Sequence, residues 1–279
     1  MRRSGVFPFC LIQVVCAVML LVGCKPEATQ PSSDQQTPAA VPDQTEAKGD
    51  MAADTVPEGA RRLIAAYPDM DMRYVDNQMV IAGETVPYDD GKPKSFVELL
   101  DDCDVEDMFA MPYDTSVTRP DYLSDPGRGR CEALYKAMYG HNASEVAKNL
   151  VDVRWFGQTL QFTRINGANK QLEAVERELK SHPEWSKYFA KSSTFYWRKV
   201  RGTNRLSAHS YGMTIDINVA NSDYWQWTNP GKGELDKIGY KNRIPLEIVG
   251  VFEKHGFIWG GRWYHFDTMH FEYRPELLN

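Results

Sequence analysis

The chain has no surplus of positive charge: 32 Lys and Arg stand against 38 Asp and Glu over 279 residues, a formal net charge of −6. Without a basic footprint, a nucleic-acid partner is not expected. Long apolar runs are nearly absent as well, and a mean hydropathy of −0.49 excludes a polytopic membrane protein. There is no internal repeat and no regular βαβ alternation. That argues against a doubly wound sheet and against the two similar α/β lobes of a periplasmic solute-binding protein. The acidic stretch Asp101, Asp102, Asp104, Glu106 and Asp107 lacks the glycine and terminal glutamate of an EF-hand loop. It reads as a solvated helix face rather than a calcium site. What the chain does have is 42% hydrophobic residues, enough to bury a core in one large domain or two small ones.

Arg2 and Arg3 precede an apolar run from Val6 to Gly23, the pattern of a secretory signal. The run ends in Leu21-Val22-Gly23-Cys24, which resembles a bacterial lipobox and marks residues 1–24 as a lipoprotein signal with Cys24 as the lipidation site. An uncleaved signal anchor is the alternative. Residues 25–57, rich in Pro, Gln, Thr and Ala, bury too little to offset their ordering entropy and read as a disordered tether. Acyl chains on Cys24 would hold an exported protein on a lipid bilayer, facing the periplasm or cell wall. Lys25 is not the aspartate that commonly retains lipoproteins in the inner membrane, which favours the outer membrane. Of the 5 Cys, Cys10 and Cys16 would leave with the signal. Cys103 and Cys131 remain; one disulfide is expected, with two buried free thiols as the alternative.

In the folded part, residues 58–67 have helical spacing, and residues 72–90 alternate like a hairpin around Asp76-Asn77. Residues 95–109 and 130–140 read as short amphipathic helices separated by a loop from Pro112 to Gly129. From Val151 the pattern changes: β-rich residues 151–163, a helix over 168–182, a strand-like 193–200, a strict period-two strand over 213–220 and a helix over 245–256. A Gly-Gly turn and a last strand close the chain. The expected fold class is α+β, an antiparallel sheet with flanking helices, in which 58–150 packs on a catalytic domain of 151–279.

Two late strands place metal-competent side chains on one face. Thr214, Asp216 and Asn218 point away from Ile215, Ile217 and Val219, and His270 and Glu272 point away from Met269, Phe271 and Tyr273. His209 lies seven residues before Asp216, across a Gly212 turn that can return it beside the strand. Two His and one Asp are a normal ligand set for a catalytic zinc with its fourth position open to water. Singly, each is more often a surface or satisfied core residue. Trp225, Trp227, Trp259 and Trp263 suit either a stacking groove or an aromatic core, His265 reads as a residue behind the site or on its rim, and His255 as a helix C-terminal charge.

The segment SAHSYGMTIDIN also resembles the S-x-H-x-x-G-x-x-x-D motif of zinc D-alanyl-D-alanine peptidases, and DTMH their acid-x-x-His motif. That group includes the vancomycin-resistance D,D-peptidases and phage endolysin L-alanyl-D-glutamate peptidases. The likeness runs from about Val151 to Leu278 and includes GFIWGGRW, typical of the carboxypeptidase-like branch. The resemblance implies a Hedgehog/D,D-peptidase-like zinc fold, with His209, Asp216 and His270 as ligands of Zn2+ and Asp267 as catalytic acid/base. It also implies an Arg that binds or stabilises substrate, for which Arg198 is the positional match and Arg201 and Arg205 are competitors. Ser207 would orient substrate or a ligand, or merely cap a turn. On an ideal strand Asp267 and His270 would face opposite ways, so the chain must bend between them or Asp267 must sit in the preceding turn. The implied activity is hydrolysis of peptidoglycan stem peptides by a monomer, as a D,D-carboxypeptidase or an L-alanyl-D-glutamate endopeptidase. A catalytically inactive wall-binding lipoprotein of the same fold is the alternative.

Overall fold

The computed structural model describes residues 56–278. The expected signal sequence, Cys24 and the expected tether up to residue 55 lie outside the described residues. Helix α1 (Glu58–Ala66) buries Ala60, Leu63 and Ala66 along one stripe. It leads into an antiparallel meander of β1 (Met72–Val75), β2 (Gln78–Ile81) and β3 (Glu84–Pro87). Asp76 and Asn77 both take positive φ, 47° and 59°, as the two-residue turn between twisted strands requires. Helix α2 (Phe96–Asp101) starts at a capping box, where Ser95 and Glu98 satisfy each other's free backbone donors. Helices α3 (Glu132–Tyr139) and α4 (Ala143–Ala147) complete this half.

The second half opens with the hairpin β4 (Leu150–Trp155) and β5 (Gln158–Thr163), followed by α5 (Ala168–Leu179). Then come β6 (Thr214–Asp216), α6 (Trp225–Thr228), α7 (Leu246–Lys254), β7 (Phe257–Trp259) and β8 (His270–Tyr273). Strand β8 is the middle of a sheet ordered β6-β8-β7, antiparallel to both neighbours. The α+β class therefore stands, although the strands form three small sheets rather than one.

Four expectations change. The strand expected over 213–220 ends at Asp216, and Val219, expected on its core face, lies in a 3-10 turn and is exposed. Residues 193–200 are not a strand: only single bridges, Ser193 with Asp216 and Lys199 with Leu206, tie them to the rest. The helix expected over 95–109 stops at Asp101. The acidic stretch is solvated only in part: Asp101, Asp102 and Glu106 are exposed, whereas Asp104 and Asp107, with Asp90, surround the nearly buried Lys94 ammonium, 2.5 Å from Asp107.

One apolar core joins both halves, from Ala60 and Leu63 through Tyr135 and Trp155 to Phe271. Phe252 of α7 stacks on Phe271 of β8 with ring centroids 3.9 Å apart, which presses the core face of β8 inward. Burying each such ring contributes roughly 1.5–3 kcal/mol. The Tyr67 hydroxyl, just beyond α1, donates to Glu276 just beyond β8 at 2.9 Å. Trp225, Trp259 and Trp263 are buried, so they serve as core; Trp227 alone is exposed. His255 caps α7 and meets Gln171 and Glu178, the structural place its helix-end position suggested.

Candidate metal centre

In the β6–β8 pair Asp216 stands directly opposite His270, and Thr214 opposite Glu272. Residues opposed across antiparallel strands share a face, so the alternation of each strand becomes one cluster. His209 arrives from a single turn of 3-10 helix, Ala208–Tyr211, that ends at Gly212. Gly212 has φ 68°, and a Cβ there would lie 2.3 Å from a Leu150 methyl, so any side chain at this reversal is strained and must displace Leu150. His209 Nε2 then lies 3.1 Å from Asp216 Oδ2, and His270 Nδ1 lies 2.9 Å from Asp216 Oδ1.

The far nitrogen of each ring is already engaged. His209 Nδ1 sits 2.6 Å from the Thr194 carbonyl, which accepts its proton and leaves the Nε2 lone pair facing the cluster. His270 Nε2 sits 2.7 Å from Glu272 Oε1, which leaves Nδ1 facing Asp216. A ligating imidazole is held in this manner, with its other N–H tied to a carbonyl or a carboxylate. His209, Asp216 and His270 form a candidate metal site, each offering one atom within 4.8 Å of the others. The donor set, two imidazoles and one carboxylate, fits zinc with room for a further ligand.

Asp267 lies in the turn before β8. Its carbonyl accepts the His270 N–H at 3.2 Å, its own N–H donates to Gly260 O at 3.0 Å, and it bridges to Tyr224. The demand for a bend between Asp267 and His270 is met by that turn. A Cβ on Gly260 would approach the Asp267 carbonyl to 2.6 Å, so the Gly-Gly pair permits close approach here. Asp267 Oδ1 is buried and has no hydrogen-bond partner.

The electrostatics separate the two carboxylates. Burial pushes Asp267 up to about 7, with Asp216 adding to the rise against His270 and His209. Burial acts upward on Asp216 too, but there the two adjoining imidazoles win and hold it far below the usual carboxylate range. Burial alone would lower His270; the hydrogen bonds to Asp216 and Glu272 raise it to about 10 instead. A proton and a metal ion therefore compete for its Nδ1. One carboxylate is always charged and one is poised near neutrality, the division of labour that metal ligation and proton transfer require.

Other expected residues are placed differently. Arg198 is exposed, and its Nη1 reaches only the Lys199 carbonyl at 3.5 Å. Arg201 is exposed as well. Arg205 instead lines a cavity of about 200 Å3 with Arg128, Arg130 and Tyr211. Its Nε lies 3.2 Å from the exposed Asp101 carboxylate and has no hydrogen bond. Ser207 is buried just before His209, and its side chain does not cap the turn. The expected disulfide is not formed: Cys103 and Cys131 are free thiols on the wall of the Arg205 cavity, and Cys103 Sγ donates to the Asp104 carbonyl. Of the two places expected for His265, behind the site or on its rim, it takes the first: it is fully buried, with Nδ1 2.7 Å from Asp125. Glu272 carries its signal in the alternation of β8; Arg128, Arg130 and Asp125, more than a hundred residues away, carry none.

Residues 201–273 match the family model for D-alanyl-D-alanine carboxypeptidase. The match spans about a quarter of the chain and contains His209, Asp216, Asp267 and His270. It supports a hydrolase of the peptidase class that acts on peptidoglycan. No curated protein and no solved structure matches the chain.

Proposed function

We propose that this protein is a zinc peptidase that hydrolyses peptide bonds in the stem peptides of peptidoglycan, as a D,D-carboxypeptidase or an L-alanyl-D-glutamate endopeptidase of Hedgehog/D,D-peptidase-like fold. The observation that carries this reading is the partnerless, proton-poised Asp267 one turn from the cross-strand pair of Asp216 and His270. His209 Nε2, Asp216 and His270 Nδ1 would hold the ion. When bound, zinc supplies Lewis-acid polarisation of the scissile carbonyl and a more acidic water.

The remaining chemistry belongs to side chains of this chain. Asp267, near 7, takes the proton of the attacking water and delivers it to the leaving amine, so the carboxylate ends the cycle as it began. No covalent enzyme intermediate is needed. An arginine of the segment 198–205 would pair with a substrate carboxylate: Arg198, the positional match, is exposed and free to reach a ligand, and Arg205, half-buried and held only by the exposed Asp101 at 3.2 Å, is its competitor. Ser207, buried beside His209, would orient the substrate or that ligand. A wall-binding protein without catalysis would have no use for a poised acid beside a metal site.

The protein would act as a monomer from a lipid anchor on Cys24, on the periplasmic or cell-wall side of the bacterial membrane, with the outer membrane favoured by Lys25. Mass spectrometry of purified muropeptides after incubation with the zinc-loaded protein is the test. Loss of one terminal D-Ala and release of the stem after L-Ala give different masses. Unchanged muropeptides of every stem length would reject the reading.

A further inference from the structure

The segment Ser124–Arg130 lies in the first half of the chain and outside the matched residues 201–273, yet its hydrogen bonds reach residues 263–265, 272 and 274 on either side of Asp267 and His270. Ser124 O accepts from Tyr264 N at 2.8 Å, and Asp125 Oδ1 accepts from His265 N at 3.0 Å. Pro126 O accepts from Trp263 Nε1 at 2.7 Å, and Gly127 O accepts from Arg274 Nη1 at 3.0 Å. At its far end Arg130 forks onto Glu272: Nε donates to Oε2 at 3.1 Å, and Nη2 donates to Oε1, the oxygen that also faces His270 Nε2. Arg130 Nη1 turns back to the Arg128 carbonyl at 3.1 Å, and the guanidinium lies over the Trp263 ring.

We propose that residues 124–130 form a positioning strap whose Arg130, by fixing the Glu272 carboxylate, sets the ring orientation of His270 and so the affinity of the centre for its metal. The proposal rests on reading this centre as a zinc site. Glu272 is wholly buried and its side chain can turn about its own bonds. A planar fork that engages both oxygens removes that freedom, which a point charge cannot do. With Oε1 held, the N–H of His270 Nε2 has one direction in which to donate, and Nδ1 on the opposite side of the ring is aimed at Asp216 Oδ1. Without the fork, Arg274 at 3.4 Å from Oε2 is the other cation on Glu272, and it is already shared with Glu276. Partners of this second kind change metal affinity by about 10–100-fold when removed.

The test is the zinc dissociation constant of the full chain, measured by competition with a chromogenic chelator, beside the thermal midpoint of the metal-free protein. Arg130→Gln is expected to weaken zinc binding at least tenfold, Glu272→Gln to do the same, and Arg130→Lys to recover only part of the loss. A lowered metal-free midpoint with wild-type zinc affinity in Arg130→Gln would mean a merely structural arginine and would overturn the proposal. If Arg130→Gln does not fold, Arg130→Lys and Glu272→Gln carry the comparison, and wild-type affinity in either is equally fatal. Wild-type protein that binds no zinc would refute the metal-site reading itself, which is a different result from tight binding that ignores Arg130.

Discussion

Asp216 and His270 face each other across the β6–β8 pair, and each oxygen of the Asp216 carboxylate meets a different imidazole. The three side chains are thus mutually satisfied as polypeptide, before any ion is considered. Stripping the protein with a chelator is expected to abolish hydrolysis while leaving a cooperative thermal transition. Asp216→Ala is expected to lose both zinc binding and activity. Metal analysis and differential scanning calorimetry check the pair of outcomes; an unfolded metal-free protein would contradict them.

Asp267→Asn is expected to keep zinc but lose about 10²–10⁴-fold in kcat, because the amide cannot accept the proton. In the wild type, kcat/KM is expected to rise with pH along an acid limb with a midpoint at or below about 7, as the carboxyl ionises. The cluster's other carboxylate, Asp216, is ionised throughout that range. A pH–rate profile in which the acid limb survives in Asp267→Asn would assign the limb elsewhere.

The same substitution is expected to stabilise the metal-free fold. A carboxyl whose folded value is raised to about 7 binds its proton more tightly than the unfolded chain does, so its contribution is most favourable at low pH and is lost as pH rises to 7. Part of Asp267 still touches solvent, which tempers the penalty, leaving an effect on the order of 1–3 kcal/mol at pH 8. Denaturant midpoints of wild type and Asp267→Asn at pH 5 and pH 8 check this: the gap between them should widen at the higher pH.

Arg198→Ala or Arg205→Ala is expected to raise KM for stem peptides about 10–100-fold, the worth of a charge-assisted hydrogen bond to a carboxylate, and the larger effect marks the arginine that binds it. Steady-state kinetics on substrates with a free or an amidated C-terminus separates recognition of the carboxylate from a general loss of fit.

Gly212→Ala is expected to destabilise the fold by about 1–3 kcal/mol and to weaken zinc binding as well. The added Cβ meets Leu150 at 2.3 Å and must hold a positive φ, so the strain falls on the turn that delivers His209. Chemical denaturation measures the first effect and chelator competition the second.

Much of this centre was legible in the alternation of two short strands, because a period of two assigns every side chain of 214–218 and 270–272 to a face without reference to the rest of the fold. Register is another matter: nothing local says that Asp216, rather than Thr214, lies opposite His270. The expectation for Arg198 depended on a strand over 193–200 that does not form, since that segment pairs at isolated points and leaves the guanidinium in solvent. The disulfide expectation rested on export alone, and burial of the two thiols in one wall does not supply the bond. Arg130 and Asp125 were illegible for a plainer reason: each is a charge in a loop, and its partner is about 140 residues further along.

Strand β8 is the last of its sheet to be made, and nearly everything in the centre waits for it. Tyr67 is synthesised 209 residues before Glu276, Arg130 142 before Glu272, and Asp216 54 before His270. Until that strand inserts between β6 and β7, the nascent chain holds ligands without a shape and charges without counterparts. The candidate centre is therefore built from long-range contacts that all end on or just beyond one strand, so its assembly is expected late in folding.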